Sequence, residues 1–168
     1  QSLSTTSLCV CCVRHPVFMN ASAQALSIRL TRKIANVAVM VRAEFPSAIP
    51  DLSPWLTEDI TRQQMSPSSI DLSFASVRES DLLDCRCILL QILFSDTLLE
   101  PSCHLVGIEA SGHDHQGRCW TFSTKTDWQF KGSRIPKDPN RQKRFIHLLK
   151  QILTLFSYPT ALSQSFLD

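Results

Sequence analysis

The sequence predicts an α+β fold: an antiparallel meander of four to five strands, a C-terminal amphipathic helix packed on one face, and a short helix before the sheet. Three observations lead there. Between residues 69 and 131 apolar residues alternate with polar ones or gather in short runs, and turn-forming residues separate the runs. After Asp138 the apolar period lengthens to that of a helix. The 168 residues, 43% of them hydrophobic, have room for one domain with a real core.

Residues 44–68 read as a linker and a short helix. Pro46, Pro50, Ser53 and Pro54 mark a domain entry, Ser53 is a suitable N-cap, and Leu56 and Ile60 continue one face of a helix over 54–65. The α+β domain is expected over 69–158. Its first strand places Ile70, Leu72 and Phe74 on one side, and Cys85–Phe94 is a second apolar run. His104–Ala110 and Arg118–Ser123 form the arms of a hairpin about the polar turn 111–117, and Asp127–Lys131 is a fifth strand. Asp138 caps the last helix, whose stripe is Phe145, Leu149, Ile152, Leu153 and Phe156, and Pro159 ends it. Residues 159–168 are a tail.

The first 43 residues stand apart by charge. They carry Arg14, Arg29, Arg32, Lys33 and Arg42 and no acid, although the chain has 15 acidic residues. Ser and Thr crowd the start, and 21–42 form a basic amphipathic helix with Leu26, Leu30, Ile34, Val37 and Val41 on one face. An acid-poor, Arg- and Ser-rich amphipathic leader resembles a transit peptide, and Val39-Met40-Val41-Arg42-Ala43 is similar to the Val-Arg-Ala endings of chloroplast leaders. The resemblance implies an organelle transit segment over 1–43 and a plastid (chloroplast stroma) address, with the mitochondrial matrix or cytoplasm as alternatives.

Several function classes find no motif. Neither GxGxxG nor GxxxxGK[ST] is present, Gly is limited to four, and no GxSxG or HExxH occurs. Apolar runs such as Ile152–Phe156 are far shorter than the roughly 20 residues of a membrane-spanning helix. Seven cysteines without a secretory signal pattern read as thiols, and their odd number leaves at least one unpaired.

Two constellations carry chemistry. Cys85, Cys87, Cys103, His104, His113, His115 and Cys119 are thiolate and imidazole donors of the type that holds tetrahedral zinc, although C-x-C and H-x-H are not its usual spacings. If they do not converge, they are core thiols and solvated turn residues. Trp120 and Phe122 share a face of one strand and Trp128 and Phe130 a face of the next, within a tract that also holds Lys131, Arg134, Arg141 and Arg144. Exposed, such residues would stack and neutralise single-stranded nucleic acid; buried, they are one side of a core.

Without a cofactor motif or catalytic constellation, the sequence points away from an enzyme. It points to a non-catalytic accessory or assembly protein, or a small subunit, of an organellar multiprotein complex, acting through protein contacts. Acidic 44–116 and basic 117–150 would steer association. The alternatives are a single-stranded nucleic-acid-binding domain and a small-ligand-binding domain with an apolar pocket.

Overall fold

The computed structural model describes residues 20–54 and 66–157. The chain forms helix α1 (Ile28–Glu44), strands β1 (Ile49–Asp51), β2 (Ser69–Ala75), β3 (Cys87–Phe94), β4 (Leu105–Asp114), β5 (Gly117–Ser123) and β6 (Phe130–Gly132), then helix α2 (Pro139–Ser157). The six strands form one antiparallel sheet in chain order. The α+β class, the meander and the C-terminal helix packed on it are thus present. The helix expected over 54–65 lies, from residue 55 on, outside the described residues.

Alternation along the strands sends Ile70, Leu72 and Phe74, then Ile88, Leu90 and Ile92, then Ile108 and Ala110, then Trp120 and Phe122 into the core. Register aligns these rows: Leu72 pairs with Leu90, Leu90 with Ala110 and Ala110 with Phe122. On α2, Phe145, Leu148, Leu149, Ile152 and Phe156 complete the layer. Phe145 is the hub, with its ring centroid 5.9 Å from that of Trp120, 6.1 Å from Phe122, 5.9 Å from Phe130 and 6.4 Å from Phe45. Gly112 makes room for this arrangement, because a Cβ there would lie 2.2 Å from the Trp120 indole nitrogen. That nitrogen donates to the Leu83 carbonyl at 2.9 Å.

Helix α1 spans residue 43, where charge alone divides the chain. Ser27 caps it by accepting from the Leu30 amide at 3.1 Å, and Leu30, Ile34, Val37 and Val41 are buried in the same core as the strands. It runs antiparallel to α2: Glu44 and Phe45 meet Arg144 and Phe145 at one end, and Lys33 lies over the Phe156 ring at the other. A boundary at 43 falls inside the last turn of α1. The stripe read as a membrane- or receptor-binding face is the stripe that docks on the domain itself. Asn20–Gln24 is fixed too: the Ala21 amide donates to the Asp71 carbonyl at 3.0 Å, and Gln24 Nε2 to the Ser69 carbonyl at 3.1 Å.

Smaller departures have local causes. β1 arises within the stretch read as linker, and pairs with β2 over three residues. β4 runs through the expected polar turn to Asp114, leaving His115 and Gln116 as a two-residue loop before Gly117, whose φ of 121° suits a tight hairpin. β6 starts only at Phe130, because Trp128 turns the chain with φ 58°.

Burial on α1 leads to a direct test. Ile34→Ala, at a position 3% exposed, should lower the free energy of urea unfolding by about 2–5 kcal/mol. Val39→Ala, at a position 67% exposed, should change it by no more than about 0.5 kcal/mol.

Candidate functional site

Strand geometry separates the sulfur and imidazole donors. Cys103 and His104 precede β4, whereas His113 and His115 lie at its far end. Ten extended residues put about 30 Å between the two groups. Cys103 Sγ donates to the Asp96 carbonyl at 3.4 Å, and His104 Nδ1 lies 2.9 Å from Ser95 Oγ. At the other end Cys87 and His113 are cross-strand partners on the sheet face turned away from the helices, with His113 Nε2 2.8 Å from Ser111 Oγ. Cys85 and Cys119 are buried. Among the described residues no three of these seven converge as ligands; His115 alone joins a group, with Glu79 and Asp114, whose donor atoms lie within 4.8 Å of one another. Both carboxylates already face guanidinium groups, Glu79 that of Arg86 and Asp114 that of Arg134, which a divalent ion would have to displace.

Burial pushes the thiols toward their neutral form. It raises Cys87, Cys103 and Cys119, and it takes Cys85, with added repulsion from Cys119 and Cys87, up to about 12. Burial, with the Arg118 charge second, lowers His113 and keeps its ring neutral. Thiolates are the metal ligands and nucleophiles, so burial holds these thiols away from their reactive form. At pH 8 a group titrating near 12 is ionised in about one molecule per ten thousand. Cys85 should therefore resist iodoacetamide at pH 8 in the native protein and react once urea unfolds the chain, as read by peptide mass spectrometry.

Two of the four aromatics are core, and Trp128 and Phe130 are partly buried against it. Trp120 and Phe122 are 1% and 2% exposed beneath α2. Phe130 packs on both, at 5.1 and 4.9 Å between centroids, and Trp128 edges onto Phe122 beneath the Lys150 ammonium. Trp120 and Phe122 offer no face on which a base could stack. The cations grouped with them are engaged within the domain. Lys131 pairs with Asp127 at 2.6 Å, Arg144 with Glu44 at 2.8 Å, and Arg141 donates to the Ser80 carbonyl and, at 3.1 Å, to that of Leu82.

Arg134 matters most among them. It pairs with Asp114, whose side chain is 2% exposed, and its Nη2 donates to Cys119 Sγ at 3.0 Å. Removing one partner of such a pair strands the other charge away from water, and the 40% exposure of Arg134 softens the cost. Arg134→Ala should cost about 2 kcal/mol in urea unfolding, and adding Asp114→Asn should recover much of it.

The surface left unoccupied by the fold is the outside of the helix pair. α1 carries Arg29, Arg32, Lys33 and Arg42 against Glu44 alone, and α2 carries Arg141, Lys143, Arg144 and Lys150 against no acid. Lys33 is buried, its pKa lowered first by burial and then by Arg29. Arg29, Arg32, Arg42 and Lys143 are exposed and make no ion pair among the described residues. Leu26, Ile28 and Val39 stand exposed beside them. The sequence signal for this surface is a stretch of cations without acids.

Phe94, Leu98, Leu105 and Phe156, with Glu100 and His104, line a cleft of about 270 Å³. A larger one of about 490 Å³, within the roughly 300–1,000 Å³ of small-molecule pockets, is lined by Glu44, Pro46, Arg78, Asp81, Arg141 and Arg144, and its walls are mostly charged. The space between sheet and helices is filled by side chains.

This two-layer domain belongs to a defined family. A family model described as a domain of unknown function matches residues 22–158, from just before α1 through the end of α2. No curated protein and no solved structure matches the chain.

Proposed function

We propose that this protein is a non-catalytic accessory or assembly protein, or small subunit, of a multiprotein complex, and that it acts through protein contacts. The observation that carries the reading is the outer surface of the helix pair, where exposed cations of one sign stand among exposed aliphatic side chains. Charges of one sign give a partner orientation and a fast encounter, and the aliphatic side chains give it area to bury. The contrast between acidic 44–116 and basic 117–150 contributes less, since Arg134 with Asp114 and Lys125 with Glu109 join the two within the domain.

A plastid setting rests on narrower ground. Four of the five cations of residues 1–43 belong to α1, a helix of the folded domain, so what speaks for a plastid address is the Ser- and Thr-rich, acid-free stretch 1–19.

Affinity capture with the full chain tests the reading. A protein partner should co-purify in fixed stoichiometry and remain with the chain through size-exclusion chromatography at about 0.15 M salt. A chain recovered alone, or with nucleic acid in place of protein, would count against it.

A further inference from the structure

α1 has two stripes at helical spacing. Leu30, Ile34, Val37 and Val41 face the core. Ile28, Arg32, Ala35 and Val39 share the opposite side, with Arg29 and Arg42 on its flanks. Ile28 is 75% exposed and Val39 67%, so the second stripe is held outward by the burial of the first. From Ile28 to Val39 it runs for about 17 Å, the length of about three helical turns.

We infer that this outward stripe seats an amphipathic helix of a protein partner, one with an apolar seam bordered by Asp or Glu. Ile28 and Val39 supply the apolar contacts, Ala35 lets a second backbone approach, and Arg29, Arg32 and Arg42 meet the bordering carboxylates. This is the logic by which apolar seams and flanking charges select helical partners. The inference rests on the accessory reading and assigns its surface.

The composition of the stripe argues against other occupants. Nucleic acid would satisfy the arginines but offers nothing apolar to Ile28 and Val39. A lipid surface would need a continuous apolar face, and Arg32 stands in the middle of this one. A second copy of the same stripe would bring Arg29 and Arg32 against like charges.

The test uses the full chain and fluorescein-labelled 21-residue synthetic peptides: one with Leu at two positions per heptad flanked by Glu, one with Lys in place of Glu, and one with Ser in place of Leu. The Glu/Leu peptide should bind more tightly than the Glu/Ser peptide. R29E/R32E/R42E should weaken it about tenfold or more and gain affinity for the Lys/Leu peptide. Val39→Asp should weaken binding without the charge swap, and circular dichroism should show both variants folded.

Equal binding of Glu/Leu and Glu/Ser peptides would overturn the seat, as would unchanged affinity in the triple variant. Tighter binding of a 20-base-pair duplex or of phosphatidylserine vesicles than of the Glu/Leu peptide would replace it with the corresponding polyanion. If the co-purifying protein of the preceding section stays bound to R29E/R32E/R42E, this seat is wrong and the accessory role stands. If the wild-type chain yields no partner, the accessory role itself fails.

Discussion

A six-stranded sheet with one apolar face needs more cover than one helix provides, and the rest of the structure follows from that shortfall. Strands spaced about 4.8 Å apart make a sheet some 24 Å wide, while a helix with its side chains covers about 10 Å. Leaving half of the inner face bare would expose side chains such as Ile70, Leu72, Ile88 and Leu90, each worth about 1.5–3 kcal/mol when buried. α2 alone cannot cover them. α1 therefore has to lie beside it, and the aromatic contacts of Phe145, reaching Phe45 on one side and Trp120, Phe122 and Phe130 on the other, join the two helices to the sheet.

Placing both helices in one layer also sets the charge of the surface. Each buries one stripe and turns the remainder outward, and on both helices the remainder is basic. The acids lie mainly on strands and loops, where Asp114, Glu109 and Glu79 find Arg134, Lys125 and Arg86. Charge that looks like two halves along the sequence becomes, in space, a locally neutralised sheet side and a helical side with cations to spare.

Much of the architecture was legible because period two and period 3.6 are hard to confuse over long runs: the apolar rows of β2, β3, β4 and β5 and the cap and stripe of α2 follow from them. β1 was not legible. Ile49-Pro50-Asp51 is too short to show a period, and the prolines and serines of the stretch around it have the composition of a loop. The period of α1 was legible and its place in the core was not, since a basic helix that docks on a core and one that docks on a receptor carry the same stripe. Sheet width decides between them, and single-strand patterns do not report it. The same ambiguity attended the aromatics, because Trp120 and Phe122 alternate identically whether the strand face looks to water or to Phe145. Donor clustering misled for a different reason. Residues close in sequence were counted together although an intervening strand, β4, carries Cys103 and His104 to one end of the sheet and His113 and His115 to the other.

Small α+β domains associate chiefly by extending a sheet edge or by presenting a helix, and here the edges are blunted. β1 and β6 are three residues each. β1 contains Pro50, which has no amide to donate, and Asp51, whose charge discourages an approaching strand. β6 presents Lys131 and ends in Gly132, held at φ 144° where a Cβ would lie 2.3 Å from the Cys119 carbonyl oxygen. That close approach turns the chain away after three residues, so the edge cannot lengthen to receive a partner. The outward side of α1 has no such defence. Ile28 and Val39 take no part in the core and stand beside arginines that make no ion pair among the described residues, so the proposed partner helix would find both apolar and charged contacts there.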